Sequence, residues 1–196
     1  LPPELVAQHP AARRDGSRLL VWDRGFHSAR HCTFADVAGE IGDALVVVND
    51  TRVVPARIPI ERPKGEVLLL EALGDGVWEA LARPTRRLRA GERYGSVELL
   101  EHLGEGRWRV RLEGEPDGET PLPPYIPRGR SRGAARPTAL DRERYQTVYA
   151  REGHSAAAPT AGLHFTQDLL GRIRASSVAT AALTLDDVIA ALAQLT

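Results

Sequence analysis

The amino-acid sequence predicts an α/β protein whose main domain is interrupted by a small antiparallel β module. Three observations predict this arrangement: an early strand–helix–strand order, two hairpin patterns whose turns each contain two glycines, and helical patterns that resume towards the end of the chain. We therefore divide the chain into residues 1–58 as the first part of the main domain, 59–115 as the inserted module, and 116–196 as a return linker with the second part of the main domain.

The first part of the main domain contains four predicted elements. They are a short helix over residues 2–8, a buried strand over 17–23, a helix over 33–41 and a second strand over 44–48. Thr33 suits the N-cap of the second helix because Asp36 follows three residues later, as in a capping box. The run ALVVV of the second strand is continuously apolar and rich in β-branched residues, which is typical of a strand buried on both faces.

The inserted module is predicted from two hairpins. Strand-like runs over 66–73 and 77–83 flank one Gly-Asp-Gly turn, and runs over 96–103 and 107–113 flank a Gly-Glu-Gly turn. In the last run, apolar residues at 108, 110 and 112 share one face, while arginines at 107, 109 and 111 share the other. This period of two predicts one buried and one solvated face, in a small antiparallel barrel or sandwich.

After the module, the chain is expected to return through a linker and then form helices. Residues 114–139 are rich in glycine, proline and arginine, a composition that is typical of loops. Helical patterns follow over 141–150, 166–175 and 186–195. Tyr145 and Tyr149 are four residues apart, so a helix would place both on one face, where core packing is their usual role.

Composition and motif content exclude several classes of protein. The 196 residues carry no net charge, and no apolar run approaches the length of a membrane span. The single Cys32 excludes an internal disulfide, and with His27 and His31 it lacks a second cluster that would complete a metal site. The sequence contains no Walker loop, G-x-S-x-G elbow or G-x-G-x-x-G fingerprint. Because the chain has no methionine and starts at Leu1, we expect that residues are missing from it.

A polar loop directly after the second strand is the first candidate ligand site. The stretch NDTRVVPAR supplies an amide, a carboxylate, a hydroxyl and two guanidinium groups, from Asn49, Asp50, Thr51, Arg52 and Arg57. Ligands of α/β proteins usually bind at the carboxyl ends of strands, which favours a binding role. The alternative is a simple turn at Asp50 and Thr51, with both arginines solvated.

The stretch SAAAPTAGLHFT over residues 155–166 is the second candidate site. Its small residues allow close approach to the backbone, and His164 stands just before a helix that Thr166 is suited to cap. Histidine exchanges protons near neutral pH, so His164 can act as a base or accept a hydrogen bond from a ligand. The alternative is a structural histidine that bonds to the backbone.

Arginine clusters and one tyrosine favour contact with nucleic acid. The clusters are Arg83, Arg86, Arg87, Arg89 and Arg93 within the module, and Arg128, Arg130, Arg132 and Arg136 after it. Arginine suits bidentate phosphate contacts, but a solvated surface in an arginine-rich proteome explains these clusters equally well. In the proline-stiffened stretch TPLPPYIPR, Tyr125 can stack on a nucleoside ring or serve as a packing anchor.

Seven stretches occur together in an order that resembles one enzyme family. They are LPPELVAQHP, RRDGSRLLVWDR, GDALVVVNDTRVVPAR, EVLLLEAL, PLPPYIPR, DRERYQTVYA and APTAGLHFT. As an ordered set they closely resemble the S-adenosylmethionine:tRNA ribosyltransferase-isomerase family of queuosine biosynthesis. The likeness extends from Leu1 to about Ala175, and residues 176–196 do not match the family's pattern. NDTRVVPAR and PTAGLHFT are the highly specific motifs.

The resemblance implies a fold and a reaction. The fold is a barrel-like α/β main domain with an inserted small antiparallel β-barrel. The reaction uses S-adenosylmethionine as the co-substrate and needs no metal. Its ribosyl moiety is transferred to, and isomerised on, 7-aminomethyl-7-deazaguanine at the tRNA wobble position, which gives epoxyqueuosine and releases adenine and methionine. A cytoplasmic monomer without membrane contact is expected, with this tRNA and S-adenosylmethionine as partners.

The resemblance also assigns roles to the candidate residues. His164 would remove a proton next to the sulfonium, and Asp50 or Tyr125 would face the positive sulfur. Arg52 and Arg57 would hold a carboxylate or a phosphate. The other expected contacts are Asn49, Thr51, Thr160 and Gly162 to substrate, and Arg83, Arg86, Arg87, Arg89, Arg128 and Arg130 to tRNA. The alternatives are a truncated, catalytically inactive relative that binds RNA, and a small-molecule-binding α/β protein.

Overall fold

The computed structural model describes residues 2–123, 125–126, 136–176 and 178–184. The helices are α1 (Val37–Glu40), α2 (Ala139–Arg144) and α3 (Gln167–Ala175). The strands are β1 (Arg18–Asp23), β2 (Ser28–Thr33), β3 (Val46–Asn49), β4 (Thr51–Val53), β5 (Arg57–Ile60), β6 (Gly65–Gly74), β7 (Val77–Arg83), β8 (Arg93–Tyr94), β9 (Val97–Gly104), β10 (Arg107–Leu112), β11 (Glu152–Ser155) and β12 (Thr180–Leu183). In these described residues, a nearly closed, barrel-like sheet of six antiparallel strands accompanies three two-stranded sheets, so the protein is mixed α/β as predicted.

The amino-terminal region contains a β-hairpin that the sequence did not predict. β1 pairs antiparallel with β2 along its whole length, so the strand expected over 17–23 is confirmed. Its expected burial is wrong, because Leu20 and Trp22 are more than half exposed. Leu19 and Val21 alternate with them and are half-buried, so the hairpin turns one face towards the protein and the other outward.

Both helices predicted near the amino terminus are shorter than expected. The one over 2–8 is a single 3-10 turn. The one over 33–41 starts as predicted, because the Asp36 carboxylate accepts a hydrogen bond from the Thr33 N–H at 2.9 Å. A 3-10 turn then leads directly into α1, whose apolar residues pack on the buried face of α3.

β3 and β4 follow each other along the chain but join different sheets. β3 pairs in parallel with β12, and β4 pairs in parallel with β11. The prediction that residues 44–48 are buried on both faces is wrong, because Leu45 and Val47 are more than half exposed. A run of β-branched residues favours a strand, whereas burial of both faces also needs a layer on each side. In the described part of the chain, the apolar layer against Val46 comes from α1 and α3.

The six-stranded sheet has the order β5-β6-β7-β10-β9-β8, with every neighbouring pair antiparallel. Both predicted hairpins are confirmed, as β6 with β7 and as β9 with β10. Their turns share one conformation, since residues 74–76 and 104–106 all have positive φ. Such a backbone favours glycine, which explains why each turn contains two of them.

The outer face of this sheet is a ladder of ion pairs. Exposed and buried residues alternate along β10, as predicted. Each outward arginine contacts a glutamate of a neighbouring strand: Arg107 with Glu79, Arg109 with Glu101, and Arg111 with Glu98. Acids in cross-strand register therefore neutralise the arginines of this solvated face.

α2 ends earlier than the helix predicted over 141–150. Its last turn closes at Tyr145, after which Gln146 turns away from the helix axis. The Gln146 side chain accepts a hydrogen bond from the Val53 N–H at 3.0 Å and donates one to the Val53 carbonyl at 3.2 Å. It thus pairs with the edge of β4 as a strand would. Tyr149 follows the helix, so the expectation that it shares a helical face with Tyr145 is wrong.

α3 is confirmed from its predicted N-cap onward. The Thr166 hydroxyl accepts a hydrogen bond from the Leu169 N–H at 3.1 Å, which satisfies one of the free donors of the first turn. The helix expected over 186–195 lies outside the described residues. Within the described ranges, no helix has both the length and the apolar character needed to cross a lipid bilayer.

Truncation of the barrel core will lower stability strongly. Leu99 of β9 is fully buried, whereas Leu103 of the same strand is exposed. We expect Leu99→Ala to reduce the free energy of unfolding in urea by about 2–5 kcal/mol, through lost burial and a residual cavity. Leu103→Ala, the matched control, should change it by less than about 0.5 kcal/mol. Equal losses in the two variants would contradict this description of the sheet.

Candidate active site

A pocket of about 300 Å³ lies where four distant segments of the chain meet. Its walls come from residues 7–17, the return segment around Tyr125, the end of α2 and the 3-10 turn Thr160–His164. Three predicted site residues, Tyr125, Thr160 and His164, line this one pocket. The side chain of Gln8 donates a hydrogen bond to the Tyr125 carbonyl at 3.3 Å, which ties the amino terminus to the return segment.

His164 is half-buried at the end of the 3-10 turn. The centroid of its ring lies 5.1 Å from that of Phe34, with the planes tilted by 40°. Among the described residues, neither ring nitrogen of His164 has a hydrogen-bond partner. The backbone bond that a purely structural histidine would make is therefore not found there. With respect to the described residues, both nitrogens are therefore free to bond to a ligand in the pocket that His164 lines.

Two arginines clamp the walls of the pocket together. The Arg14 guanidinium donates hydrogen bonds to three backbone carbonyls, those of Glu143 at 2.7 Å, Leu163 at 3.1 Å and Arg144 at 3.3 Å. Arg144 in turn donates to the carbonyls of Ala11 and Ala12, at 2.8 and 3.1 Å. Burial, and secondarily the charge of Arg144, lower the pKa of Arg14. This clamp joins the end of α2 to the His164 turn and to the amino-terminal segment.

The start of α2 supplies a buried carboxylate to the same pocket. The Asp141 carboxylate accepts hydrogen bonds from the N–H and the hydroxyl of Thr138, at 2.8 and 2.9 Å. The Thr138 hydroxyl also accepts a bond from the Asp141 N–H at 3.1 Å, which completes a capping box. These bonds fix the start of α2 and thereby the wall of the pocket that its end forms.

Arg52 lines a second cleft, of about 460 Å³, on the other side of Tyr145. Tyr145 contributes to both cavities and is their common wall. Arg142 of α2 and Glu115 also line the cleft. Two exposed guanidinium groups at one cleft can hold a carboxylate or a phosphate. Arg52 is therefore next to the His164 pocket rather than within it.

Residues 49–51 form the switch between the two parallel sheets. The Asn49 side chain accepts a hydrogen bond from the Thr51 N–H at 2.8 Å. Such a bond is typical of the simple turn that was the alternative to a ligand-binding loop. Asp50 is buried, and its carboxylate accepts a hydrogen bond from the Thr184 hydroxyl at 2.7 Å. Its carbonyl accepts a further bond from the Arg151 N–H at 2.9 Å. Asn49, Asp50 and Thr51 do not line the pocket of His164.

Arg57 is buried in β5 and is not solvated. Its Nη2 donates to the Leu122 carbonyl at 3.4 Å, and its Nε lies 3.7 Å from a carboxylate oxygen of Glu66. Nε and Nη1 make no hydrogen bond to any residue that the structure describes. Because Leu122 lines the His164 pocket, Arg57 connects the six-stranded sheet to the wall that carries Tyr125.

Gly162 is required by close packing beneath the His164 turn. A β-carbon at this position would overlap the Tyr149 hydroxyl and press against Thr147. Burial raises the pKa of Tyr149, so its phenol stays neutral in the folded protein. The small residues of this stretch were expected to let a ligand approach the backbone closely. At Gly162, the group that approaches the backbone is the Tyr149 side chain.

Substitution of this glycine will strain the turn. We expect Gly162→Ala to lower the free energy of unfolding by about 1–3 kcal/mol, because the added methyl overpacks the site. Tyr149→Phe in the same chain should restore part of the loss, since it removes the overlapping oxygen. Gly171→Ala is the control: nothing lies near its β-carbon in α3, and alanine should gain about 0.5–1 kcal/mol there. Chemical denaturation of the four proteins tests this, and a neutral Gly162→Ala would contradict it.

The arginines predicted to contact tRNA differ in their surroundings. Arg83 forms an ion pair with Glu66 at 2.6 Å, and Arg89 donates to the carbonyls of Arg86 and Leu88. Arg86 and Arg87 are exposed on a 3-10 turn. Arg128 and Arg130 lie outside the described residues. Within the described part of the chain, no group of three or more histidine, cysteine or acidic residues is arranged to hold a metal ion.

The chain matches one protein family over almost its whole length. The model of the family described as queuosine biosynthesis protein matches residues 1–195. This chain belongs to the queuosine biosynthesis protein family. The family that the ordered motifs indicated is thereby confirmed.

Curated relatives in this family are named S-adenosylmethionine:tRNA ribosyltransferase-isomerase. The protein of Syntrophomonas wolfei is 46% identical over 194 residues, which cover 88% of this chain and 53% of the relative. That of Trichlorobacter lovleyi is 41% identical over 202 residues, which cover 94% and 57%. A crystal structure of S-adenosylmethionine tRNA ribosyltransferase from Thermotoga maritima is 26% identical, covers 94% of this chain and 56% of that chain, and gives a TM-score of 0.38. The chain thus spans about half the length of the curated relatives it matches.

Several residues that build the pocket of this family member escaped the sequence analysis. Arg14 and Arg144 are ordinary charged residues in sequence, and their mutual contacts span 130 positions. No local pattern indicates such a clamp. Asp141 had a local signal, since Thr138 stands three residues before it as in a capping box, and this pattern would have placed the start of α2 correctly.

Proposed function

We propose that this chain takes part in the transfer and isomerisation of the ribosyl moiety of S-adenosylmethionine onto 7-aminomethyl-7-deazaguanine at the tRNA wobble position, giving epoxyqueuosine. The observation that carries the proposal is the pocket that His164, Tyr125 and Thr160 line together, in which the His164 imidazole has no hydrogen-bond partner among the described residues. Family membership and the names of the curated relatives support the same substrates. Nothing in the comparisons supports an inactive RNA-binding relative.

His164 and Tyr125 take the central roles in this proposal. His164 accepts the acidic proton next to the sulfonium, a task suited to a histidine whose ring nitrogens make no hydrogen bond to the described part of the chain. Tyr125 is more than half exposed and lines the same pocket, so its ring can face the positive sulfur. Asp50 remains the second predicted catalytic residue, and the hydrogen bond that it accepts from Thr184 supports a role in fixing the strand switch as well.

The remaining predicted substrate contacts divide between the two cavities. Thr160 belongs to the His164 pocket, and Arg52 to the adjoining cleft, where it would bind a carboxylate or a phosphate. For Arg57, the hydrogen bond to Leu122 supports a positioning role for the Tyr125 segment. Asn49, Thr51 and Gly162 complete the proposed substrate-binding set, through the backbone that they shape.

We also propose that the six-stranded sheet is an insertion within a barrel-like α/β domain, with the expected boundaries at 1–58, 59–115 and 116–196, the first of which falls within β5. β11 and β12 follow the sheet in sequence, yet they pair with β4 and β3, which precede it. This parallel pairing across the sheet supports the division.

The proposed tRNA contacts are Arg83, Arg86, Arg87, Arg89, Arg128 and Arg130. Exposed arginines on one turn, such as Arg86 and Arg87, suit phosphate contacts. A tRNA-modifying monomer in the cytoplasm, without membrane contact or a bound metal, is the remaining part of the proposal.

The decisive assay is release of adenine from S-adenosylmethionine. We expect release that depends on tRNA carrying 7-aminomethyl-7-deazaguanine and that is absent with the same tRNA bearing guanine. Salt-dependent tRNA binding without adenine release would favour the inactive RNA-binding relative. If the protein binds a small molecule but has no affinity for RNA, the result would favour a small-molecule-binding α/β protein.

A further inference from the structure

We propose that the β1–β2 hairpin is an RNA-binding arm that stacks an unpaired nucleobase on Phe26 and Trp22. This inference rests on the proposed function, because it names the surface that would meet the tRNA. The hairpin lies outside the residues that the sequence analysis assigned to tRNA, and it does not line the His164 pocket.

The tip of the hairpin holds an aromatic ring in solvent on a fixed turn. Phe26 is 84% exposed. The Asp23 carboxylate accepts hydrogen bonds from the N–H groups of Gly25 and Phe26, at 2.8 and 3.0 Å. His27 completes the turn with a φ of 47°. A ring presented on an ordered turn loses little conformational freedom when it binds, which favours recognition over random exposure.

The outward face of the hairpin continues this aromatic surface. Leu20 and Trp22 lie two residues apart on β1, so both point the same way. Trp22 is 53% exposed, and its ring lies 6.4 Å from that of His27 in an edge-to-face contact. His31 stands opposite Leu20 on the neighbouring strand. Leu20 and Trp22 therefore form an apolar patch along one face of the hairpin, and Phe26 is exposed at the tip beyond it.

Charge decides which partner this patch fits. Arg18 and Arg24 flank the aromatic residues and are exposed, and Asp23, the single acid between residues 18 and 33, is held by the turn. Arg30 points to the opposite face and pairs with Glu40 at 2.7 Å. Aromatic rings interleaved with arginine are the combination that binds single-stranded nucleic acid, by base stacking and phosphate contact. Unpaired loop bases are also what proteins recognise in folded RNA.

Tryptophan fluorescence gives a direct readout of this contact. The protein has three tryptophans, and Trp78 and Trp108 are only 7% and 2% exposed in the barrel core. Emission that a ligand can quench by contact therefore comes from Trp22. Titration with an anticodon stem-loop RNA should quench it, whereas a fully paired duplex of the same length should not.

Variants separate this arm from other RNA contacts. Phe26→Ala should weaken stem-loop affinity by about 5- to 150-fold, the range for loss of one base–aromatic stack. Arg24→Ala should reduce the slope of log affinity against log salt by about 0.7, as for one lost phosphate contact. Leu103→Ala, which removes an exposed apolar side chain from β9, is the matched control and should leave both unchanged. Phe26→Ala should also raise the KM for tRNA in the adenine-release assay without changing kcat.

Three outcomes would overturn the proposal. Wild-type RNA affinity and adenine release in Phe26→Ala, with no quenching of Trp22, would refute the arm while leaving the proposed function intact. Self-association that Phe26→Ala abolishes would assign the patch to a second copy of the chain. Absence of both RNA binding and tRNA-dependent adenine release in the wild type would refute the arm and the proposed function together.

Discussion

Replacement of His164 by alanine is expected to reduce tRNA-dependent adenine release by about 100- to 10,000-fold, the usual contribution of a positioned general base. The imidazole has no hydrogen-bond partner among the described residues, so its removal breaks no structural bond there. The loss should therefore appear in kcat, while tRNA affinity and thermal stability stay close to those of the wild type. Steady-state kinetics with a binding titration measure both quantities.

The control for His164 is its neighbour in the same pocket. Thr160→Ala removes a hydroxyl from the same 3-10 turn but no group that can accept a proton at neutral pH. It should alter KM for S-adenosylmethionine more than kcat. Near-normal kcat in His164→Ala, with folding intact, would defeat the assignment of the base.

Replacement of Arg14 by alanine is expected to loosen three walls of the pocket at once. Its guanidinium bridges carbonyls of α2 and of the His164 turn, and three acceptors would lose a charged donor. Charged hydrogen bonds contribute about 1.5–3 kcal/mol each, but water can replace part of them at this half-buried site, so we expect a total loss of about 2–3 kcal/mol in unfolding free energy. KM for S-adenosylmethionine should rise in parallel.

Two further variants serve as controls for the loss of unfolding free energy in Arg14→Ala. Arg14→Lys keeps the charge but cannot reach three carbonyls with one ammonium group, so it should rescue only a minor part of the loss. Arg111→Ala removes an exposed ion pair with Glu98 on the barrel and should cost at most about 1 kcal/mol. Equal unfolding free energies of Arg14→Ala and Arg111→Ala in urea would show that the hydrogen bonds of Arg14 stabilise the protein no more than an exposed ion pair does.

Local signals in the sequence predicted the elements that depend on local physics. The hairpin turns needed positive φ, which the paired glycines supplied, and β10 alternated its faces as its pattern required. Thr166 capped α3 as expected. Burial was less predictable. The apolar runs of β1 and β3 are strands, but their exposure depends on which layers cover them, and no local pattern records that.

The candidate site was only partly predictable for the same reason. Arginine is rarely buried, so the sequence favoured solvent or a ligand for Arg57, whereas its contacts with Glu66 and Leu122 are tertiary. The end of α2 could not be placed from helical periodicity, because Gln146 leaves the helix to pair with β4. The meeting of Tyr125 with His164 was implied by the resemblance to the family and not by any spacing in the chain.

Amide hydrogen exchange with and without S-adenosylmethionine tests most directly whether the His164 pocket is the substrate site. We predict that saturating S-adenosylmethionine slows exchange in peptides covering 7–17, 139–145 and 160–164, the segments that enclose the pocket. Protection confined to 52–55 and 115–116, which line the Arg52 cleft, would place the substrate on the other side of Tyr145 and contradict the account.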